Sequence, residues 1–130
     1  MTLKMHESRP LKRIEIDVID PRDEQAALLA WAARVEAGEV QRSANPRLHF
    51  ASYRQLHAVL TEKRMALLEY VAMHEGLSIR QLASELERDY RNVYDDVQRL
   101  VQLGLIEIQD GKLHVPYGEI YIRKTLREAA

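Results

Sequence analysis

The sequence predicts a mainly α-helical protein of the α+β class, in which a helix–turn–helix is followed directly by a small β-hairpin. Residues 78–86 and 90–103 have the pattern of two helices, separated by a break at 87–89. Gly104 ends the second helix, and Asp110-Gly111 lies between two short segments of alternating hydrophobicity. Two helices, a tight turn and a trailing β wing make up a winged helix, a module that places its second helix in the DNA major groove.

Composition is that of a soluble globular protein. The 130 residues suit one domain, or one small domain with an arm at each end, and 46% are hydrophobic and 30% charged. The lack of cysteine excludes disulfides and thiolate metal sites. Residues 1–7 show no apolar signal segment and no apolar run reaches the ~20 residues of a membrane span. We therefore expect a cytoplasmic protein with no membrane association.

The charge balance does not favour nucleic acid. The formal net charge is −1, and residues 50–115 carry eight Lys/Arg against ten Asp/Glu, a net of −2. Nucleic-acid binders are usually basic on at least one face. DNA affinity would therefore have to come from local arrangement and from two copies acting together.

The N-terminal part is interpreted as an arm followed by a strand–helix unit. Residues 1–10 lack periodicity and predict a flexible arm, whereas 11–19 alternate as a half-buried strand, with Asp17 on the outward face. Asp20-Pro21 is a helix start, and this helix is expected to run to about Ala37. We assign 11–40 to dimerisation or partner binding, with Trp31 as a core or dimer anchor.

A connector over 39–49 leads to the predicted winged helix at 50–116, where polar residues mark the start of each helix. Ser52 and Gln55 form a capping box, as do Ser78 and Gln81. Thr61 and Asp89 are the other predicted caps. The residues expected to face inward from the first two of these helices are Tyr53, Leu56, Val59 or Leu60, and then Met65, Leu68, Val71 and Ala72.

The C-terminal part, 117–130, is interpreted as a strand and tail, with the strand over 119–126. This strand and the one at 11–19 have no evident partner within the winged helix, so we expect them to pair with each other, within a protomer or across a dimer. The candidate dimerisation residues are Ile14, Ile16, Val18, Trp31, Ile120 and Ile122.

The second helix of the motif carries the candidate DNA-reading face. Val93, Val97 and Leu100 share the buried side, and polar residues lie opposite. Arginine can bridge two acceptors of guanine, and Asn or Gln can bridge adenine. Asp95 is placed to hold both Arg91 and Arg99. The candidate DNA-binding residues, including turn and wing cations, are Arg80, Arg88, Arg91, Asn92, Tyr94, Gln98, Arg99 and Lys112.

The same residues would also suit an ordinary solvated helix face, and Tyr90 and Tyr94 could pack at the core edge or stack on bases. No pattern of catalysis competes with the helix–turn–helix. The five histidines never share a metal-binding spacing, no serine lies in a G-x-S-x-G context, and no Gly-rich phosphate loop is present. We expect no enzyme activity, catalytic residue, metal or cofactor.

Seven stretches from about residue 36 onward carry a resemblance to a known family, and they are Glu36-Ala37-Gly38-Glu39, Phe50-Ala51-Ser52-Tyr53, Leu60-Thr61-Glu62-Lys63-Arg64, Leu77-Ser78-Ile79-Arg80-Gln81-Leu82-Ala83, Arg88-Asp89-Tyr90-Arg91-Asn92-Val93-Tyr94-Asp95-Asp96-Val97, Leu103-Gly104-Leu105-Ile106 and Pro116-Tyr117-Gly118-Glu119-Ile120. Through these stretches the chain resembles MarR-like winged-helix transcriptional regulators of bacteria and archaea that are described as antitoxins (TumA-like). Gly118 departs from the acidic residue that usually follows Pro-Tyr in that family.

The resemblance implies a dimeric antitoxin that represses its own operon next to a small toxin of the TumE-like kind. Its DNA-binding residues would be Arg88, Arg91, Asn92 and Tyr94. The residues themselves favour a sequence-specific regulator that binds a palindromic operator as a homodimer. The alternative is a winged helix that serves as a protein-interaction module without binding DNA, which the acidic balance supports.

Overall fold

The computed structural model describes residues 12–20, 28, 29, 32, 33, 36, 37 and 46–126. The described part mixes helices and strands, as the α+β prediction requires. Residues 28, 29, 32, 33 and 36 are helical, within the span predicted as a helix. The elements bounded at both ends are, in chain order, β1 (Lys12–Val18), β2 (Arg47–Phe50), α1 (Tyr53–Val59), α2 (Glu62–Met73), α3 (Ile79–Leu86), α4 (Tyr90–Gln102), β3 (Glu107–Gln109), β4 (Lys112–His114) and β5 (Tyr117–Lys124).

The described residues fall into two compact units. One includes Leu67–Glu119, and the other includes the described parts of Ile14–Ala66 together with 120–126. The domain boundaries predicted from the sequence at 50 and 116 stay predictions. Among the described residues, no helix combines the length and the apolar character that a membrane crossing requires.

β1 lies at the centre of a three-stranded sheet in the order β2-β1-β5. The predicted pairing of the N-terminal strand with the C-terminal strand, β1 with β5, is therefore confirmed, and it occurs within a single chain. β2 was not predicted, because 39–49 was interpreted as a connector. It runs parallel to β1, with Ile16 opposite Leu48 and Val18 opposite Phe50. β5 begins at Tyr117, two residues before the predicted start.

An ionic network crosses this sheet. The side chain of Asp17 is only 6% exposed, although the alternation predicted it to face outward. It lies between two arginines from the neighbouring strands: Arg47 Nη1 is 3.7 Å from Oδ2, and Arg123 Nε is 3.3 Å from Oδ1. Arg47 also pairs with Glu15 at 3.0 Å. The two guanidinium groups compensate the buried carboxylate, which alone would be costly to desolvate.

The candidate dimerisation residues divide by exposure. Ile14, Ile16 and Val18 are at most 2% exposed in a single chain, so in this conformation they cannot contribute contact area to a second copy. Ile122 is 49% exposed and Ile120 is intermediate. Trp31 lies outside the described residues.

The capping predictions for α1 and α2 are confirmed, with one variation. Ser52 Oγ accepts a hydrogen bond from Gln55 N at 3.1 Å, whereas the Gln55 amide oxygen accepts from Ala51 N rather than from Ser52 N. Thr61 Oγ1 accepts from Arg64 N at 3.2 Å and begins α2.

The buried faces of α1 and α2 differ in part from the prediction. Leu56 and Leu60 are buried, whereas Tyr53 is 55% exposed. The ring of Tyr53 packs edge-on against the ring of His57, with 4.4 Å between the ring centres. In α2 the buried set is Leu67, Leu68 and Val71, whereas Ala72 is exposed and Met65 is intermediate.

α3 packs against α4, and both the cap of α3 and the buried face of α4 are as the sequence predicts. Ser78 and Gln81 form the complete reciprocal capping box. Val93, Val97 and Leu100 are fully buried, as predicted from their spacing on α4. Each such side chain stabilises the fold by about 1.5–3 kcal/mol relative to an exposed one. This core fixes which face of α4 points away from the protein.

Candidate nucleic-acid interface

The outward face of α4 begins with exposed polar and aromatic side chains. Arg91, Asn92, Tyr94 and Asp95 are exposed, and Gln98 and Arg99 are intermediate. Asp89 begins the helix, since its carboxylate accepts a hydrogen bond from Asn92 N at 3.2 Å. The cap satisfies a backbone donor, so the first turn, where recognition helices usually contact bases, is well defined.

A residue with left-handed backbone conformation makes the tight turn between α3 and α4. Glu87 has φ 54 and ψ 46, and the N–H of Arg88 donates to the carbonyl of Ala83 at 3.0 Å. This 6→1 bond is that of a Schellman motif, which usually places glycine at the left-handed position. The turn thereby ends α3 and leaves only Arg88 and Asp89 before α4 begins.

Arg88 is engaged within the protein. Its Nη2 donates to Asp96 Oδ2 at 2.7 Å, and the two side chains are only 22% and 14% exposed. Asp96 lies on α4, so the pair ties the turn to the helix that follows it. The sequence predicted Arg88 as a phosphate contact, but in this conformation its guanidinium serves the turn instead.

The predicted brace on Asp95 forms with one arginine only. Arg91 Nε lies 3.6 Å from Asp95 Oδ1, and the side chains are 81% and 60% exposed. Arg99 Nη1 instead donates to Gln102 Oε1 at 3.1 Å. Such an exposed pair contributes little to stability, so Arg91 can leave Asp95 at small cost.

An aromatic and cationic cluster joins α3 to the first half of α4. The guanidinium carbon of Arg80 lies 5.0 Å from the ring centre of Tyr90. The rings of Tyr90 and Tyr94 are 6.1 Å apart, and these residues are 41% and 39% exposed. Both tyrosines are therefore exposed at the surface, where they contact each other and Tyr90 contacts Arg80. The sequence named these residues, but only the fold shows that they meet.

The β3–β4 hairpin is the candidate wing. Asp110 and Gly111 both have positive φ, at 53 and 74, as a type I′ turn requires, and they join β3 to β4 in the hairpin that the sequence predicts. Gln109 is opposite Lys112, whose side chain is exposed beside the turn. The hairpin therefore presents one cation at its tip.

A tether that sequence analysis missed holds the hairpin to the segment before α3. Leu113 N donates to Leu77 O at 2.8 Å, and Gly76 N donates to Leu113 O at 2.9 Å. Glu75 accepts from Val115 N at 3.1 Å and lies 2.9 Å from His114 Nδ1. No local pattern could have revealed these contacts, since Glu75 and Val115 are 40 residues apart.

Among the described residues, no group of three or more His, Cys, Asp or Glu side chains could hold a metal ion. The exposed groups of the α4 face include the guanidinium of Arg91, the amide of Asn92 and the ring of Tyr94, which can donate hydrogen bonds and present flat surfaces.

A family model described as HVO_A0114 matches residues 59–122, a span from the end of α1 into β5 that contains α3, α4 and the hairpin. Neither the curated proteins nor the solved structures include a match.

Proposed function

We propose that residues 50–116 form a winged helix–turn–helix and that the protein is a sequence-specific DNA-binding transcriptional regulator acting as a homodimer. The observation that carries this proposal is the geometry of α4. Its apolar side is buried and its capped first turn exposes Arg91 and Asn92, while α3 and the hairpin flank it in chain order. Arg91 and Asn92 are suited to guanine and adenine edges.

Four of the acidic residues in 50–115 make structural contacts within the fold. Asp89 caps α4, Asp96 holds Arg88, Glu75 holds the hairpin, and Glu85 accepts a hydrogen bond from Tyr70. These contacts give the four carboxylates structural roles but leave the net charge of 50–115 at −2, so attraction to phosphate must come from the local placement of cations. Arg80, Arg91, Arg99 and Lys112 remain the cations of the proposed interface.

The antitoxin role extends the proposal and rests on the family resemblance. In that role the regulator would repress its own operon, and its protein partner would be a small toxin of the TumE-like kind. A small toxin-like reading frame beside the gene would support this part of the proposal, and its absence would argue against it.

The second candidate is a winged-helix module that binds a protein and not DNA. Its support is that three candidate readers are engaged within the protein: Arg88 with Asp96, Arg91 with Asp95 and Arg99 with Gln102. Under this hypothesis the α4 face needs no electrostatic attraction to phosphate.

Titration with salt separates the two candidates. The ligand is a duplex from the region upstream of the protein's own gene, and a scrambled duplex of equal length is the control. A DNA binder loses affinity steeply as salt rises, because each neutralised phosphate releases counterions. An absence of binding at low salt would overturn the first candidate and favour the second.

Two arginine variants then test the α4 face. Arg91→Ala should weaken binding of the upstream duplex by about 1–3 kcal/mol, as loss of a base contact does. Arg54→Ala removes the same charge from an exposed position of α1. Because salt screens the loss of a distant charge, the affinity should stay within about twofold of wild type. Equal losses in both variants would mean that α4 does not read the sequence.

A further inference from the structure

β5 is an edge of the sheet within the part of the chain that the structure describes. The strand order is β2-β1-β5, so β1 covers only one side of this eight-residue strand. Its outer side presents backbone donors and acceptors that can pair with another strand. Tyr121 and Ile122 are 48% and 49% exposed. A second strand added here would cover apolar surface as well as backbone.

The middle of β5 is self-complementary when read in opposite directions. The segment Glu119-Ile120-Tyr121-Ile122-Arg123 has Tyr121 at its centre, an isoleucine on each side and opposite charges at its two ends. When two identical strands pair in antiparallel fashion about a two-fold axis, the axis is perpendicular to the sheet and side chains keep to their own face. The axis must therefore pass midway between one residue and the same residue of the second copy.

With the axis at Tyr121, each isoleucine is opposite an isoleucine and each charge is opposite its counterpart. Glu119 of one copy faces Arg123 of the second copy, and this happens twice by symmetry. If the axis moved to Ile120 or Ile122, Glu119 would face Tyr121 or Thr125 instead. Directly opposite ion pairs and apolar pairs stabilise antiparallel strands, so the sequence favours one register.

Arg123 retains the exposure and the hydrogen-bond donors that this contact needs. Its Nε is 3.3 Å from Asp17 Oδ1 of β1, and 56% of its side chain is exposed. Guanidinium has five N–H donors, so one bond to Asp17 leaves others for a second carboxylate. The bond to Asp17 also limits the freedom that Arg123 would lose on pairing.

We propose that β5 binds β5 of a second copy in antiparallel register centred on Tyr121, which joins the two sheets into one. This inference rests on the homodimer part of the proposed function and names its interface. It is tested without DNA. A dimer that does not bind the duplex would overturn DNA binding and leave this interface in place, whereas a monomer that binds the duplex would overturn the homodimer and its interface and leave DNA binding in place.

Cysteine crosslinking tests the register, because the chain contains no cysteine of its own. In the Tyr121→Cys variant the two new residues are directly opposite, with Cα atoms about 4.5–5.5 Å apart. That spacing lies within the range of a disulfide. In the matched Lys124→Cys variant they are offset by six residues along the strands, or about 20 Å, which is too far to bridge.

Mild oxidation should convert most of the Tyr121→Cys protein into a covalent dimer and less than about a tenth of the Lys124→Cys protein. Circular dichroism of the reduced proteins confirms that both are folded. Absence of the crosslink at 121, or equal crosslinking at both positions, would overturn the proposal.

Charge reversal provides a second measurement on a strand without cysteine. Glu119→Arg places like charges opposite each other twice, so sedimentation equilibrium should show the dimer dissociation constant raised about tenfold. Glu119→Gln, which only removes the attraction, should raise it less. A wild-type chain that is monomeric at millimolar concentration, or a reversal without effect, would overturn the proposed interface.

Discussion

Arg88 and Asp96 form an ion pair between the interhelical turn and α4, with 2.7 Å between Nη2 and Oδ2. Both side chains are mostly shielded from water, at 22% and 14% exposed. Charge-assisted hydrogen bonds of this kind are short and stronger than neutral ones. The pair therefore stabilises the position of α4 relative to α3, on which the proposed interface depends.

Removal of this arginine should destabilise the fold. Arg88→Ala leaves a half-buried carboxylate without the arginine that pairs with it, so we expect the free energy of unfolding to fall by about 1.5–3 kcal/mol. Urea denaturation measures the change. The Arg88→Ala/Asp96→Ala double variant should recover part of the loss, because it also removes the carboxylate that has lost its arginine partner. Strictly additive losses would show that the two residues are not coupled.

Replacement of Glu87 by glycine should stabilise the protein. Glu87 has φ 54, a conformation that costs an ordinary L-residue roughly 1–2 kcal/mol and glycine almost nothing. After the greater entropy that glycine loses on folding, we expect a net gain of about 0.5–1 kcal/mol in thermal or urea denaturation. Glu87→Ala retains the Cβ and should bring no comparable gain. Equal gains in both variants would instead indicate that the charge of Glu87 is unfavourable.

The hydrogen bond between Tyr70 and Glu85 predicts a loss of stability in alkali. The Glu85 carboxylate accepts from the Tyr70 hydroxyl, which raises the pKa of Tyr70 above its ordinary 10.0. The folded state thus retains a proton that the unfolded state loses above pH 10, so stability falls as pH rises through this range. Tyr70→Phe should fall less steeply than wild type between pH 9 and 11 in urea denaturation. Parallel curves for the two proteins would contradict this assignment.

Features set by neighbours in sequence were predictable. Ser78 and Gln81, Asp89, and Asp110-Gly111 act on residues at most four positions away, so their spacing alone indicates caps and a turn. The same holds for Val93, Val97 and Leu100, whose common face follows from helical periodicity.

Features set by distant residues were not predictable. β2 has only four residues, and its parallel pairing with β1 joins positions about 30 apart, such as Ile16 and Leu48. Asp17 was expected to face water because alternation does not reveal that arginines from two other strands surround it. In the candidate site, Arg88 was predicted as a phosphate contact from its place in the turn, and its pairing with Asp96, eight positions further on, was not predicted.

The sheet order has a consequence for the way in which the chain is made. Asp17 and its partner Arg123 are separated by 106 positions, whereas the hydrogen bonds that join the hairpin to the segment before α3 span 40 positions or fewer. During synthesis, β1 leaves the ribosome long before the strand that will cover its second side. We therefore expect α3, α4 and the hairpin to fold before the sheet is complete. Until β5 is synthesised, one edge of β1 stays unpaired and can be bound by chaperones.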